Sequence, residues 1–313
     1  MENTVTYLGI DIGGTKVALR AENGTQSQEA VFPWPSPEST ARGDVSARDD
    51  LSARDDLSVL ATQVRALLAG TPGPVASVGI AMPATVDGTG RVTTWPNRPS
   101  WTGLDLRGAL HPLFPGSEVA WADDGDLAAL AEADAAGCRN LVYLGVGTGI
   151  GGGTVLDGRL CPGADRGSCE VGHMIVDRTG PRCDCGRHGC VQAIASGPAT
   201  LRRAARLRGT TTTFDELGQG LRDDEPWAVA AVEESCAALA VAVVNLNELV
   251  HPSLALIGGG FADGLPGYTD RVAAAATALT RPGHPLAPVR AAALGGLSSL
   301  RGALLLARGT HSG

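Results

Sequence analysis

Three cysteines within eight residues constrain this chain more than any other feature. Cys183, Cys185 and Cys190 stand at C-x-C-x4-C spacing, with His173 ten residues ahead of the first. Three thiolates and one imidazole are the donor set of a closed, tetrahedral structural zinc site. The intervening Gly186-Arg187-His188-Gly189 gives the backbone freedom to bring three sulfurs to one ion. The stretch from Cys161 to Gln192 can therefore be neither one helix nor one strand. Glu170 lies three residues before His173, so an ion that holds His173 also fixes Glu170 nearby. Such a metal is expected to shape the wall of a substrate pocket and to do no chemistry itself.

The other four cysteines, Cys138, Cys161, Cys169 and Cys236, are scattered and make no disulfide framework. With no signal peptide in view, a reducing cytoplasm is expected. At 313 residues two lobes are expected rather than one core. The net charge of −8, without a Lys/Arg-rich patch, argues against nucleic acid as a partner. No apolar run is read as long enough to span a membrane.

Three glycine-rich turns follow apolar strands. The first strand, 4–12, ends in Asp11-Ile12-Gly13-Gly14-Thr15-Lys16, a hairpin turn whose backbone N–H groups can face a phosphate. Asp11 would sit near a metal-bound nucleotide, and Thr15 could donate its hydroxyl. The second turn is Gly145-Val146-Gly147-Thr148-Gly149-Ile150-Gly151. It has no lysine after its glycines and opens no helix, so neither a P-loop nor a dinucleotide fingerprint fits. The third is Gly258-Gly259-Gly260, after Ser253–Ile257.

Between these turns lie two polar sites. Trp95-Pro96-Asn97-Arg98-Pro99-Ser100-Trp101 is a proline-stiffened loop, and an amide beside indoles suits the hydroxyls and apolar face of a sugar. The strand Val119–Ala122 runs into Asp123-Asp124-Gly125-Asp126 and then a helix, with Asp126 the expected N-cap. One carboxylate can cap; a surplus one at the carboxyl end of a strand is available as a general base. Residues 41–58 repeat a six-residue unit three times, ARGDVS, ARDDLS, ARDDLS. Six matches no helical apolar period, and the segment reads as an acidic, solvated insertion ahead of a helix from Leu57 to Leu68.

Taken together, LGIDIGGTK at 8–16, VGIAMPATVDGTGRV at 78–92, PNRPSW at 96–101, ADDGDLAALAE at 122–132, GVGTGIGGG at 145–153, EVGHM at 170–174, CDCGRHGC at 183–190, ASG at 195–197 and LIGGG at 256–260 resemble the ROK family of the hexokinase superfamily, in family order over nearly the whole chain. The resemblance implies an α/β fold of the ribonuclease-H-like, actin-like ATPase kind, with two lobes around a cleft that holds ATP, Mg2+ and a sugar. It places 1–118 with 295–313 in a smaller lobe and 119–294 in a larger one, and it implies a homodimer.

By the same resemblance Asp11, Gly13, Gly14, Thr15 and Lys16 form the first phosphate loop, with Asp11 toward Mg2+. Gly147, Thr148 and Gly149 belong to the second loop, and Gly258, Gly259 and Gly260 pack by the adenosine. Asn97, Asp123, Asp124, Glu170, His173 and Gln192 line the sugar site, with Asp124 the general base on the primary hydroxyl. His173, Cys183, Cys185 and Cys190 are the zinc ligands. The implied activity is transfer of the γ-phosphate of ATP to the 6-hydroxyl of a glucose-like hexose. Sugar-responsive regulators in the family carry an added helix-turn-helix segment. None is read here ahead of the first strand, so a regulator is not expected.

The family usually has Asn where this chain has Asp123, and Glu where it has Gln192. An amide donates and accepts, whereas a carboxylate only accepts and favours an ammonium partner. The expected substrate is therefore an amino sugar such as 3-amino-3-deoxyglucose (kanosamine); plain glucose and a C7-cyclitol are the alternatives.

Overall fold

The computed structural model describes residues 5–34, 45–95, 98–163 and 166–309, residues 45–52 by backbone alone. Asn97 and the first residues of the hexapeptide repeat lie outside the described residues. The chain forms two compact units, each with its own hydrophobic cluster. The first comprises 1–131, 162–168 and 298–313, the second 132–161 and 169–297.

In the first unit, β1 (Thr6–Ile12), β2 (Lys16–Asn23) and β3 (Gln26–Pro33) form consecutive antiparallel hairpins. Helix α1 (Val45–Leu68) follows, then β4 (Val75–Ala81), a small ribbon of β5 (Thr85–Val86) and β6 (Val92–Thr94), α2 (Leu106–Leu110), β7 (Glu118–Ala122) and α3 (Asp124–Ala135). The sheet order is β3-β2-β1-β4-β7, with β4 parallel to both β1 and β7.

The second unit repeats this plan. Its elements are β8 (Leu141–Val146), β9 (Ile150–Leu156), β10 (Arg159–Leu160), α4 (Val191–Ala195), α5 (Gly197–Arg208), α6 (Phe214–Arg222), α7 (Pro226–Val250), β11 (Leu254–Gly258), α8 (Gly260–Asp263), α9 (Tyr268–Ala278) and β12 (Val289–Ala291). Its sheet order is β10-β9-β8-β11-β12, again two antiparallel hairpins beside parallel neighbours. The chain then returns to the first unit as α10 (Ser298–Ala307). The inner parallel strands read as unbroken apolar runs because both of their faces are covered.

Helix α10 lies on β1 and β4 at a spacing that only glycine permits. A Cβ on Gly79 would stand 1.9 Å from the carbonyl oxygen of Ala303, and one on Gly9 would stand 2.8 Å from the Leu304 side chain. Gly302 of α10 in turn meets the backbone of α3, 2.0 Å from Leu127 O.

Three expectations change. β7 and the start of α3 belong to the first sheet, because β7 hydrogen-bonds to β4; the sequence reading grouped 119–131 with the later lobe. The helix expected from Leu57 starts at Val45, and within the third repeat copy Ala53 and Asp56 are buried, so that copy is packed rather than solvated. Helix α7 is long and apolar enough to cross a membrane, contrary to the reading that no such run exists. It is 56% buried over its most apolar window and packs on α4, α5, α6 and α9 as the core helix of the second unit.

Gly79→Ala should lower the unfolding free energy by about 3 kcal/mol, at the upper end of overpacking costs, because backbone cannot yield as a side chain does. Gly88→Ala, where an added Cβ meets nothing within 4 Å, is the control and should be near neutral in the same urea titrations.

Candidate functional site

At the carboxyl end of β7 the chain turns directly into α3. Asp123, not Asp126, closes this turn: its Oδ1 accepts from the N–H of Gly125 at 2.9 Å, and its carbonyl accepts from Leu127 N. Asp126 sits in the first turn of α3 and is buried. Asp124, in the same turn, is half-buried and strongly perturbed. Burial first, then the charges of Asp123 and Asp11, push its carboxyl up to about 7 against the pull of the N–H groups of Gly125 and Asp124. A buried carboxyl that exchanges its proton near neutrality suits general-base chemistry.

Asp11 ends β1 at the first glycine turn. Burial raises its pKa, while a 2.7 Å hydrogen bond from Ser299 Oγ and the charge of Lys16 oppose the rise. The turn is closed by Gly13 N on Lys16 O, 3.0 Å. Thr15 and Lys16 are exposed. Asp11 thus offers a carboxylate oxygen beside a backbone turn, a donor that fits Mg2+. Asp123 also borders a cavity of about 580 Å³ along β7, whose wall includes Thr85, Asp87, Arg107 and Trp121.

In the second unit the corresponding turn joins β8 to β9. Gly147 N donates to Gly149 O, and Gly147 O accepts from Gly197 N at the start of α5, both at 2.9 Å. Thr148 is exposed at its tip. Gln192, expected against a sugar, has its Oε1 on the N–H of Ile150 at 3.0 Å, so its carbonyl braces this turn. The third turn lies next to the second, because Gly258 pairs in register with Gly145. Gly259 has φ +91°, and a Cβ there would stand 2.6 Å from the backbone of Val146; no other residue fits. Gly260 is exposed and starts α8. Two backbone turns at the carboxyl ends of adjacent parallel strands are where α/β sheets bind ligands.

The four sulfur and nitrogen donors converge. One ligand atom from each of His173, Cys183, Cys185 and Cys190 lies within 4.8 Å of the others. Cys183 Sγ is 3.6 Å from His173 Nδ1, and Cys185 Sγ is 3.6 Å from Cys190 Sγ. Tetrahedral zinc with bonds of about 2.3 Å requires sulfurs about 3.8 Å apart, so the set fits zinc. The Cys185 thiol is lowered to about 6, chiefly by the N–H and guanidinium of Arg187, whereas burial and its neighbours push Cys190 up to about 12. A divalent cation would let all three ionise. The loop is a tight hairpin in which Gly189 (φ +72°) passes so close to Asp177 O that a Cβ would lie 1.4 Å away.

From His173 the chain runs back through a short 3-10 turn, Val171–His173, that lies on β9. A Cβ on Gly172 would be 1.9 Å from Ile150 O. The thiolate-bearing segment thus touches the second glycine turn from both sides, at Ile150 O through Gly172 and at Ile150 N through Gln192. Glu170 precedes the 3-10 turn and is exposed.

Sequence reasoning missed Ser299, although a serine pair ahead of an apolar helix is a visible capping signal. It also missed the bracing roles of Gln192 and Gly172, which no local pattern announces.

Residues 7–310 match the ROK family. The chain is 55% identical over 305 residues to the kanosamine kinase of Amycolatopsis mediterranei (strain S699), covering 97% of this chain and 96% of that one. Among solved structures, it is similar to the ROK hexokinase of Thermus thermophilus, with a TM-score of 0.83, 29% identity, and 97% and 98% of the two chains covered. It is also similar to a ROK family glucokinase from Streptomyces griseus in complex with glucose and AMPPNP: TM-score 0.76, 25% identity, 97% and 99% covered. A family match over almost the full length, on a sheet plan that occurs twice, makes this chain a member of the ROK family.

Proposed function

We propose that the chain is an ATP-dependent sugar kinase whose substrate is kanosamine and whose product is the 6-phosphate. The observation that carries the catalytic part is Asp124, a carboxyl tuned to about 7 by burial and by Asp123 and Asp11. Its carboxylate takes the proton of the 6-hydroxyl as that oxygen bonds to the γ-phosphorus and the bond to the ADP oxygen breaks. Phosphoryl transfer asks little more of a protein than placement and charge neutralisation.

Within the first unit, the 13–16 turn faces phosphate, Asp11 would hold Mg2+, and Asn97, Asp123 and Asp124 contact the sugar. Within the second, Gly147–Gly149 receive phosphate, Gly258–Gly260 flank the adenosine, and His173, Glu170 and Gln192 have further sugar contacts. Mg2+ neutralises phosphate charge when bound. Zinc on His173 and the three cysteines is structural, and a reducing cytoplasm and a homodimer complete the reading. Support for kanosamine comes from the 55% identical relative and from the carboxylate at position 123, which an ammonium would pair with through a charge-assisted hydrogen bond.

ADP release with ATP should be faster on kanosamine than on glucose, as judged by kcat/KM. Asp123→Asn should reduce that preference about tenfold, the order of one hydrogen bond to a charged group. Glucose as the faster substrate of the parent would reject kanosamine and leave a glucokinase.

The pH dependence has a definite sign. Asp124 must be ionised to accept a proton, so kcat/KM on glucose, which has no amine to titrate, should rise with pH through about 7. Asp123→Asn removes a neighbouring negative charge and should move this limb to lower pH, while Asp124→Asn should abolish turnover and spare ATP binding. Because the folded pKa is raised from 3.8, the same group stabilises the fold below pH about 4 and loses that contribution as pH rises through about 7.

Zinc content measured by mass spectrometry should be one per chain. Cys183→Ser should lower it and, because the zinc-bearing segment holds Ile150, raise the KM for ATP more than the KM for sugar.

A further inference from the structure

The hexapeptide repeat has no part in the function above, yet its third copy supplies one buried carboxylate. Asp56 is 4% exposed, and its Oδ2 accepts from the indole N–H of Trp101 at 2.8 Å and from Arg98 Nη1 at 2.6 Å. Arg98 and Trp101 lie in the Trp95–Trp101 loop on either side of Pro99 and Ser100. The loop's backbone is pinned around the same point, with Arg98 N on Trp95 O and Trp101 N on Arg98 O. Trp95 and Trp101 pack edge to face with centroids 5.0 Å apart.

The contacts continue. The Arg98 guanidinium stands over the Trp34 ring, 4.3 Å from its centroid. Trp34 is tied to the first glycine turn twice: its N–H donates to Thr15 O at 3.1 Å, and its Nε1 donates to Gly13 O at 2.8 Å. Asp56 is the carboxylate that neutralises Arg98, whose Nε has no acceptor among the described residues.

We propose that Asp56 is a positioning residue: through Arg98 and Trp34 it fixes residues 98–101 to the 13–16 turn, so that sugar and phosphate subsites are held as one unit. The proposal rests on the kinase reading for what the two segments bind, but not for the coupling itself. A buried ion pair is suited to this because its geometry is demanding and its loss is not compensated by water. Burial raises the Asp56 carboxyl in spite of Trp101 and Arg98, as expected of a charge held by two partners alone.

Removing the whole side chain would leave a buried guanidinium unpaired and could unfold the unit. The test therefore uses Asp56→Asn, which keeps an acceptor for Trp101 but removes the charge, and Trp34→Phe, which keeps a ring under Arg98 but deletes the donor to Gly13. Asp56→Asn should raise the KM for sugar about tenfold and leave kcat within about twofold, the size expected for losing a hydrogen bond between charged groups. Asp56→Glu should recover part of the loss. Trp34→Phe should raise the KM for ATP.

Hydrogen exchange on the full chain supplies a readout that needs no substrate. In Asp56→Asn, amides of 98–104 and of 13–16 should both exchange faster than in the parent, while β4 should not change. Unchanged exchange at 13–16, or an unchanged KM for sugar in a parent that does phosphorylate it, overturns the coupling. A parent that releases no ADP with any hexose overturns the kinase reading instead, and the exchange result still decides the clamp.

Discussion

Burial first, and mutual repulsion second, set the chemistry of three neighbouring carboxylates in the first unit. Asp11, Asp123 and Asp124 come from the ends of β1 and β7, strands that flank β4 in one sheet. Each negative charge is treated differently. Asp123 faces the N–H groups that open α3, a place where negative charge is stabilised. Asp11 has the hydroxyl of Ser299 and the charge of Lys16. Asp124 has backbone N–H groups alone against burial and two like charges, and its carboxyl is pushed up to about 7. The division of labour follows from the capping geometry: had Asp126 closed the helix, Asp123 would have needed another partner.

The second unit has its own point of leverage, at Ile150. Both backbone groups of this residue are engaged by the segment that carries His173 and the cysteines, one by the closeness of Gly172 and the other by Gln192. A metal held by those four donors would in this manner set the shape of the second glycine turn with no direct contact. The four donors need not be near the chemistry to matter for it.

Much of this was legible in advance. The C-x-C-x4-C spacing, the glycine turns and the acidic end of β7 are local patterns with a chemical reading; the turns and the acidic run sit where strands end, the cysteines just ahead of α4. The repeated order was visible as well, as strand, glycine hairpin and strand, then a strand with an acidic or glycine turn, then a helix. What escaped was either edge structure or long-range contact. β3 is exposed on alternate residues and opens with Gln, Ser, Gln and Glu, so nothing apolar marks its first half. α6 was missed although Thr213 and Glu216 form a capping box. The partners of Asp56 lie 42 and 45 residues away, and no spacing rule links an acidic repeat to an indole N–H. Assigning the cap to Asp126 rather than Asp123 reflects the same limit: in a run of acids, the geometry of the turn decides which one closes it.

The place of α10 bears on how the chain is made. Gly9 and Gly79 leave a bare backbone face on β1 and β4 that residues 298–307 cover, and those follow the whole second unit in the chain. Throughout synthesis of the second unit, the first sheet waits with that face open to solvent and to other nascent chains. The first unit is therefore completed only after residues 298–307 have been made, and a chain cut before Ser298 would leave that face of its sheet uncovered.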